Sequence, residues 1–294
     1  MNLKNLLVAM ADMILHPATR VQWQAILKSL PHAILLTGDK GTGKKTLARH
    51  TASEILKCKR LDNYPYYLEL LPEKQTISIE SIRGLRNFLG RKTTGSGAIR
   101  RVVLIGDAQA MTMEAQNALL KNLEEPPTDT IIIMTCSGIN LLKPTIASRA
   151  QQITVKPISK AYALETISTY SAPAVTSAYY MSGGRVGLFM ALLEQNTEHP
   201  LVAAIAQAKA MLKLTSYERL ALVDGLSKQK QEVDLLLNGL LCVISSGLAQ
   251  AAAKNNHMLT KKFRKLTRDI LVASDNLSKT ANTKLLLTHL FLQI

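Results

Sequence analysis

A glycine-rich turn between a buried strand and a helix constrains the fold of this chain more than any other feature of its sequence. The turn reads Gly38-Asp-Lys-Gly-Thr-Gly43-Lys44; it follows the apolar run Ala33–Thr37 and begins a helical pattern over residues 43–56. In such a turn backbone N–H groups cradle phosphate oxygens, the start of the helix adds partial positive charge, and the lysine reaches the outer phosphates. This segment, called the phosphate loop below, predicts an α/β fold with a phosphate site. Its candidate cofactor-binding residues are Gly38, Gly41, Gly43, Lys44, Lys45 and Thr46.

Strands and helices alternate up to about residue 155, and only helical patterns follow Pro157. The other predicted strands are residues 101–105, 131–135 and 152–155, and the helices between them are residues 79–89 and 113–125. This order is typical of a mainly parallel sheet covered by helices on both faces. We therefore expect three domains: a sheet domain at 1–157, a small helical lid at 158–200, and an all-α domain at 201–294.

Composition excludes several classes of protein. Hydrophobic residues make up 47% of the 294 and the net charge is +15, which fits a folded chain with acidic partners rather than a disordered one. Three scattered cysteines are too few for a disulfide framework or a four-thiolate zinc site, so no zinc is expected. The apolar run Leu6–Ala11 is too short to span a bilayer, so we expect a cytoplasmic protein with no membrane partner.

The residues that should hold magnesium beside the phosphate loop are missing. A working loop follows its lysine with Ser or Thr, but this chain has Lys45, and Thr46 comes one residue late, turned by about 100° around the helix. The strand at 101–105 should end in an acidic pair, but it ends in Gly106-Asp107, and either alignment of Asp107 leaves one carboxylate short. The sequence therefore predicts a degenerate site with little or no ATP hydrolysis and no bound metal.

Three segments resemble bacterial clamp-loader subunits of the AAA+ class. They are residues 31–36, residues 116–127 (Gln-Asn-Ala-Leu-Leu-Lys-Asn-Leu-Glu-Glu-Pro-Pro) and residues 142–149 (Leu-Lys-Pro-Thr-Ile-Ala-Ser-Arg). The resemblance covers about residues 16–195 and is most specific at 116–149. It implies an AAA+ P-loop domain with a parallel sheet, a small helical lid, and an all-α C-terminal collar that holds a ring of subunits together.

The resemblance also implies a role for Arg149. In this family each ATP site lies between two subunits and is completed by an arginine from the neighbour's Ser-Arg-Cys motif. Ser148-Arg149-Ala150 stands at that motif, with alanine in place of cysteine, so Arg149 is the expected arginine finger in trans. Thr135 stands at the family's polar sensor position, and Gly187 stands where motor subunits carry a phosphate-sensing arginine.

Two functions from different classes are compatible with these residues. The first is a structural subunit of a DNA polymerase III clamp loader, with ATP or ADP either absent or held without turnover. Its implied partners are gamma/tau-type ATPase subunits, a delta-type subunit, and, through the complex, the sliding clamp and primed DNA. The alternative is an active AAA+ motor, which predicts magnesium-dependent ATP turnover by the isolated chain.

The densest basic cluster in the sequence lies in the collar. It comprises Lys261, Lys262, Arg264, Lys265 and Arg268. Such a cluster either follows the phosphate backbone of nucleic acid or forms a solvated helix face. The sequence leaves both readings open.

Overall fold

The computed structural model describes residues 13–73, 75–94, 97–278 and 282–294. The chain divides into two compact units, Met1–Ile158 and Ser159–Ile294. The first unit contains the sheet, and the described part of the second is built from helices. The finer division of the second unit into a lid and a collar at residue 200 stays a prediction.

The first unit is an α/β domain around a five-stranded parallel sheet, which confirms the predicted fold class. The strands lie in the order β2-β3-β4-β1-β5, and every pairing is parallel. They are β1 Ala33–Thr37, β2 Tyr67–Leu70, β3 Arg101–Ile105, β4 Thr130–Cys136 and β5 Gln151–Thr154. All residues of β1, β3 and β4 are buried, as expected for central strands covered on both faces.

Helices pack on both faces of this sheet because side chains alternate along each strand. Ile34 and Leu36 of β1 face one apolar core with Trp23, while Ala33 and Leu35 face a second core on the other side of the sheet. The helices of this unit are α1 Pro17–Lys28, α2 Lys44–Leu56, α3 Ile79–Leu89, α4 Met113–Glu124 and the short α5 Pro144–Ala147. Helices α1 and α2 contribute to the first core, and α3, α4 and α5 contribute to the second.

The second unit is a helical bundle centred on one long helix. Its helices are α6 Lys160–Thr166, α7 Ala172–Ser182, α8 Val186–Leu193, α9 Pro200–Met211, α10 Ser216–Ala221, α11 Val223–Leu226, α12 Lys230–Ala253, α13 His257–Ser278 and α14 Thr283–Gln293. Helix α12 packs against α7, α9 and α13. An apolar cluster of Leu188, Leu201, Ile205 and Cys242 joins helices from both sides of residue 200.

Helix α12 approaches its neighbours closely at two glycines. A Cβ atom on Gly239 would lie 2.4 Å from the carbonyl oxygen of Ala204 on α9, and one on Gly247 would lie 2.9 Å from the ring of Phe263 on α13. By length and composition α12 is the one described helix that could span a bilayer. However, its residues Leu236 and Leu240 are buried in the apolar core of the bundle, as in the central helix of a soluble domain.

Candidate functional site

The phosphate loop lies between β1 and α2, and its three glycines have backbone conformations that other residues rarely adopt. Their φ angles are +142° at Gly38, +87° at Gly41 and +89° at Gly43. A Cβ atom on Gly38 would also lie 2.6 Å from the carbonyl oxygen of Val155. The loop therefore depends on glycine for its shape, and that shape directs it into the N-terminus of α2, where backbone N–H groups can receive an anion.

Lys44 is folded back onto the loop. Its Nζ donates hydrogen bonds to the carbonyl oxygens of Gly38 at 2.5 Å and of Asp39 at 2.8 Å, and the residue is only 7% exposed. Burial lowers the pKa of Lys44 from its ordinary value, and the Asp107 and Asp39 carboxylates oppose that change. A phosphate group would therefore have to replace the two carbonyls as the partner of this ammonium.

Lys45 is tied to an acidic residue on β2. Its Nζ lies 3.0 Å from Oε1 of Glu69, whose Oε2 accepts hydrogen bonds from Arg49 at 2.9 Å and from the Tyr67 hydroxyl at 2.8 Å. Arg49 also pairs with Asp62 at 2.5 Å. Burial, followed by the hydrogen bond to Glu69, raises the pKa of Tyr67 above its ordinary value. The residue that replaces the magnesium-binding hydroxyl is thus part of a charged network.

The loop's other hydroxyls do not take over the metal position. Thr46 is exposed on α2, and Thr42 is buried with its Oγ1 donating to the carbonyl oxygen of Asp39 at 2.9 Å. Magnesium prefers octahedral oxygen ligands, and the side chain that follows the loop lysine here is a cation. The backbone of the loop and Lys44 fit a phosphate group, whereas the residues at the metal position do not fit magnesium.

Asp107 and Thr135 come together at the carboxyl ends of β3 and β4. The backbone N–H of Asp107 donates to Oγ1 of Thr135 at 3.0 Å, and Nε2 of Gln109 donates to Oδ1 of Asp107 at 3.2 Å. Asp107 has a left-handed backbone, with φ +49°, and Thr135 is 2% exposed. The hydroxyl of Thr135 therefore accepts a bond that holds the turn after β3.

Gly106 leaves no space for a carboxylate without local movement. A Cβ atom there would lie 2.5 Å from Cδ2 of Leu71. The described residues also contain no group of three or more His, Cys, Asp or Glu side chains that could share a metal ion.

Arg149 lies at the opposite end of the sheet from the phosphate loop. It precedes β5, which is parallel to β1 and begins where Gln151 pairs with Ile34, whereas the loop follows Thr37. The strand between these points spans about 10 Å at about 3.3 Å per residue. Arg149 and the phosphate loop of the same chain therefore lie at opposite ends of the strands.

The Arg149 side chain makes a surface ion pair. Its Nη2 lies 2.6 Å from Oε1 of Glu124, and its Nη1 donates to the carbonyl oxygen of Thr145 at 3.0 Å. The two charged side chains are 36% and 48% exposed. A pair as exposed as this contributes about 0.2–1 kcal/mol, so the guanidinium is held only weakly. The sequence did not reveal Glu124 as its partner.

Residues of the 116–127 segment shape the turn that carries Arg149. Oε1 of the buried Gln116 accepts a hydrogen bond from the backbone N–H of Lys143 at 3.0 Å, and its Nε2 donates to the carbonyl oxygen of Met111 at 3.3 Å. The Lys143 ammonium bonds Oδ1 of Asn117. These contacts fix the chain immediately before α5, so two of the three segments that carry the family resemblance, 116–127 and 142–149, contact each other.

In the helical unit Gly187 lies in the first turn of α8, and Arg185 caps that helix. Arg185 donates to the carbonyl oxygen of Ser182 at 2.7 Å and to Sγ of Cys242 on α12 at 2.9 Å. The guanidinium is therefore engaged within its own unit. The basic cluster is exposed on α13, and its five members are Lys261, Lys262, Arg264, Lys265 and Arg268.

Comparison with known proteins gives consistent matches over the sheet unit. Residues 16–159 match the family model described as "DNA polymerase III, delta subunit". DNA polymerase III subunit delta' of Pseudomonas aeruginosa is 31% identical over 204 residues, which cover 62% of this chain and 62% of that protein. The Escherichia coli subunit of the same name is 33% identical over 136 residues, which cover 45% of this chain and 40% of that protein. These matches span less than two thirds of either relative.

A solved structure extends the likeness of fold to both units. The crystal structure of a DNA polymerase III gamma subunit-related protein from Thermotoga maritima superposes with a TM-score of 0.60. It covers 93% of this chain and 97% of that one at 19% identity. At that identity the comparison supports the fold.

Proposed function

We propose that this chain acts as a delta-prime-like subunit of a DNA polymerase III clamp loader. The match of residues 16–159 to a DNA polymerase III delta subunit family model, and the delta' subunits that are 31% and 33% identical, support this proposal. In this role it is a structural member of a hetero-oligomeric ring that loads the sliding clamp onto primed DNA. It contributes little or no ATP hydrolysis of its own and supplies Arg149 to the site of a neighbouring subunit.

The observation that carries this proposal is the replacement of the magnesium ligand by a paired cation. Lys45 lies 3.0 Å from Glu69, and Gly106 stands where the strand should present a metal-binding carboxylate. Phosphoryl transfer in P-loop proteins depends on a metal held by the loop hydroxyl and a strand carboxylate. A chain without either ligand is suited to support catalysis by its neighbours rather than to hydrolyse ATP.

The position of Arg149 supports a role in trans. It lies at the end of the strands away from its own phosphate loop. Its guanidinium is held by a weak surface ion pair with Glu124. A phosphate on a neighbouring subunit can therefore attract it at small cost. An arginine supplied in this way stabilises the charge of the transition state and is worth roughly 10³–10⁵ in rate.

ATP or ADP, held without turnover, is the nucleotide state that the loop supports. The three glycines and the start of α2 offer backbone N–H groups to phosphate, and Lys44 can exchange its carbonyl partners for phosphate oxygens. In this scheme the residues of the loop bind and orient the nucleotide, and they carry out no hydrolytic step.

The proposed partners are gamma/tau-type ATPase subunits and a delta-type subunit, in the cytoplasm. The sliding clamp and primed DNA are reached through the assembled complex. The alternative function, an active AAA+ motor, requires magnesium-dependent ATP turnover by the isolated chain. The positive charge of Lys45 and the missing carboxylate at Gly106 argue against it.

The test is a reconstituted clamp loader with Arg149→Ala in this chain. We expect folding and assembly to be unchanged, while ATP hydrolysis at the adjacent site falls by roughly 10³–10⁵. Total hydrolysis by the ring should fall less, because the other sites keep their own arginines. Clamp loading onto primed DNA should slow, as measured in a stopped-flow loading assay.

Glu124→Gln is the matched control, because it removes the same ion pair and keeps the arginine. If Arg149 acts only through that pair, both variants will lose the same activity, and the role in trans is wrong. Clamp loading at the parental rate by the Arg149→Ala complex would contradict the proposal as well.

A further inference from the structure

The basic cluster on α13 is exposed to solvent and is not neutralised by ion pairs. Its members are Lys261, Lys262, Arg264, Lys265 and Arg268, and all five are exposed. None of the five forms an ion pair with any residue that the structure describes. The helix therefore presents an uncompensated positive patch within eight successive residues.

The spacing of these cations acts against the helix that carries them. Lys261 lies three residues before Arg264 and four before Lys265. Arg268 lies three residues after Lys265 and four after Arg264. Side chains three or four residues apart are neighbours on a helix, and like charges at this spacing destabilise it. A face that served only for solubility would mix charges of both signs and avoid this repulsion.

Three of the cations form a line along the exposed face of α13, called the basic stripe below. At 100° per residue Lys261, Arg264 and Arg268 fall within an arc of about 60°, and they extend over about 10 Å of the helix axis. The apolar residues between them, Phe263 and Leu266, pack in the core of the bundle. The exposed face between the first and last cations therefore contains no apolar side chain.

The two acidic residues of α13 do not interrupt the basic stripe. Asp269 lies on the flank of the helix that holds Lys262 and Lys265, and its carboxylate offsets part of the charge there. Asp275 lies in line with the stripe, but about 10 Å beyond Arg268. The strongest uncompensated charge is therefore along the stripe itself.

This face suits a phosphate backbone better than a protein surface. Protein interfaces are depleted of lysine and depend on buried aromatic or aliphatic anchors, which the stripe does not offer. Phosphate contacts need only suitably placed cations, and about 10 Å of duplex DNA carries about six phosphates. Proteins that hold single strands stack the bases on aromatic side chains, whereas the one aromatic residue of α13, Phe263, packs in the core.

We propose that the exposed face of α13 binds the phosphate backbone of duplex DNA, with Lys261, Arg264 and Arg268 each contacting one phosphate. Lys262 and Lys265 add positive charge on one flank. The inference rests on the proposed function, which brings primed DNA to the ring, and it adds a contact that this chain makes directly. Because the contacts go to the backbone, binding is independent of base sequence and weakens as salt increases.

The triple variant Lys261→Gln, Arg264→Gln, Arg268→Gln in the full chain tests the stripe. Glutamine is a good helix former and the change removes repulsion, so the thermal unfolding midpoint should not fall. Fluorescence anisotropy with a duplex of about 24 base pairs, between about 50 and 200 mM salt, measures binding. Each lost phosphate contact should flatten the slope of log K against log salt by about 0.9, so the variant should lose roughly 2–3 in slope. Its affinity at the lowest salt should fall roughly tenfold or more.

The matched control is the triple variant Lys209→Gln, Lys228→Gln, Lys230→Gln. These three lysines are exposed in the same unit and lie outside α13, so the control removes the same net charge. It should change the slope by less than about one. Equal losses in the two triple variants would show that net charge alone attracts DNA to the chain, and the proposed site would be wrong.

Two further probes test the class of ligand. A single strand of equal length and a glutamate peptide of about 20 residues should both bind more weakly than the duplex. Tighter binding of either probe would overturn the proposal. Size-exclusion chromatography with the ATPase subunits separates this inference from the proposed function. If the parental chain joins the ring and the stripe variant keeps the parental slope, only the DNA contact is wrong. If the parental chain does not join the ring, the proposed function is wrong, and the anisotropy result still decides whether α13 binds DNA.

Discussion

Lys45 is the single residue that most changes what the phosphate loop can do. An ammonium stands where a working loop has a hydroxyl, and Glu69 of the edge strand β2 pairs with that ammonium. The pair is partly exposed, at 47% and 12% of the two side chains, so its contribution to stability is modest. Its effect on function is larger, because a cation stands at the sequence position of a magnesium ligand.

We expect the purified chain to hydrolyse ATP at background rate in magnesium buffer, because both metal ligands are missing. A coupled-enzyme assay that measured turnover near the ~1–10² s⁻¹ typical of phosphoryl transfer would contradict the structural-subunit reading.

Restoring the metal ligands requires more than the three obvious changes. Lys45→Thr, Gly106→Asp and Asp107→Glu supply the missing groups, but the new Cβ at residue 106 would meet Leu71 at 2.5 Å. Leu71 is 42% exposed, so Leu71→Ala should relieve the contact with little loss of stability. We expect this quadruple variant to gain magnesium-dependent nucleotide binding by calorimetry and still to hydrolyse slowly, since no neighbour supplies an arginine. Fast hydrolysis by the isolated variant would show that the arginine in trans matters less than we propose.

Two residues of the candidate sites could not be found from the sequence. Glu69 pairs with Lys45 from β2, and Glu124 pairs with Arg149 from the end of α4. Each lies 24 or 25 positions from its partner, and only the fold brings them together. The spacing of the loop glycines and the position of Lys44, by contrast, are local patterns that can be recognised in the sequence itself.

At the scale of elements, periodicity predicted the long helices and the central strands but missed β2. Tyr67–Leu70 has four residues at the edge of the sheet, and only Tyr67 is fully buried. A strand this short carries too few alternations to be distinguished from a loop. The central strands are continuous apolar runs because helices cover both of their faces, and that is why they were predictable.

The glycines of α12 give a prediction at this scale. Gly239→Ala should lower the free energy of unfolding by about 1–3 kcal/mol, because its Cβ would lie 2.4 Å from backbone on α9 that cannot move alone. Gly247→Ala should cost less, since the Phe263 ring that it meets can shift. Gly225→Ala in α11 is the matched control: no atom lies within 4 Å of its Cβ, so helix propensity should make it neutral or stabilising by up to about 1 kcal/mol. Urea denaturation checks the order, and equal costs at all three positions would contradict the packing argument.

At the scale of the whole molecule, the structure indicates where to divide the chain. A cut at the predicted boundary between lid and collar, residue 200, would separate α12 from α7, against which it packs. The compact unit instead ends at Ile158, and it contains apolar cores on both faces of its sheet.

We therefore expect residues 1–158 to remain folded and to lose ring assembly. Size-exclusion chromatography with the ATPase subunits should show this fragment eluting alone, and circular dichroism should report its retained secondary structure. Co-elution with the ring would place the assembly surface on the sheet unit.

The separation of Arg149 from the phosphate loop gives the molecule a direction. Interfaces that join one end of a subunit to the other end of the next are heterologous, and they build rings or filaments rather than two-fold dimers. In the proposed ring, a chain that supplies Arg149 at one end and carries a metal-deficient loop at the other would complete the ATP site of one neighbour and leave an inactive site at its other interface. One copy is therefore enough to break the rotational equivalence of the ring's sites and to define where a cycle of hydrolysis around it begins and ends.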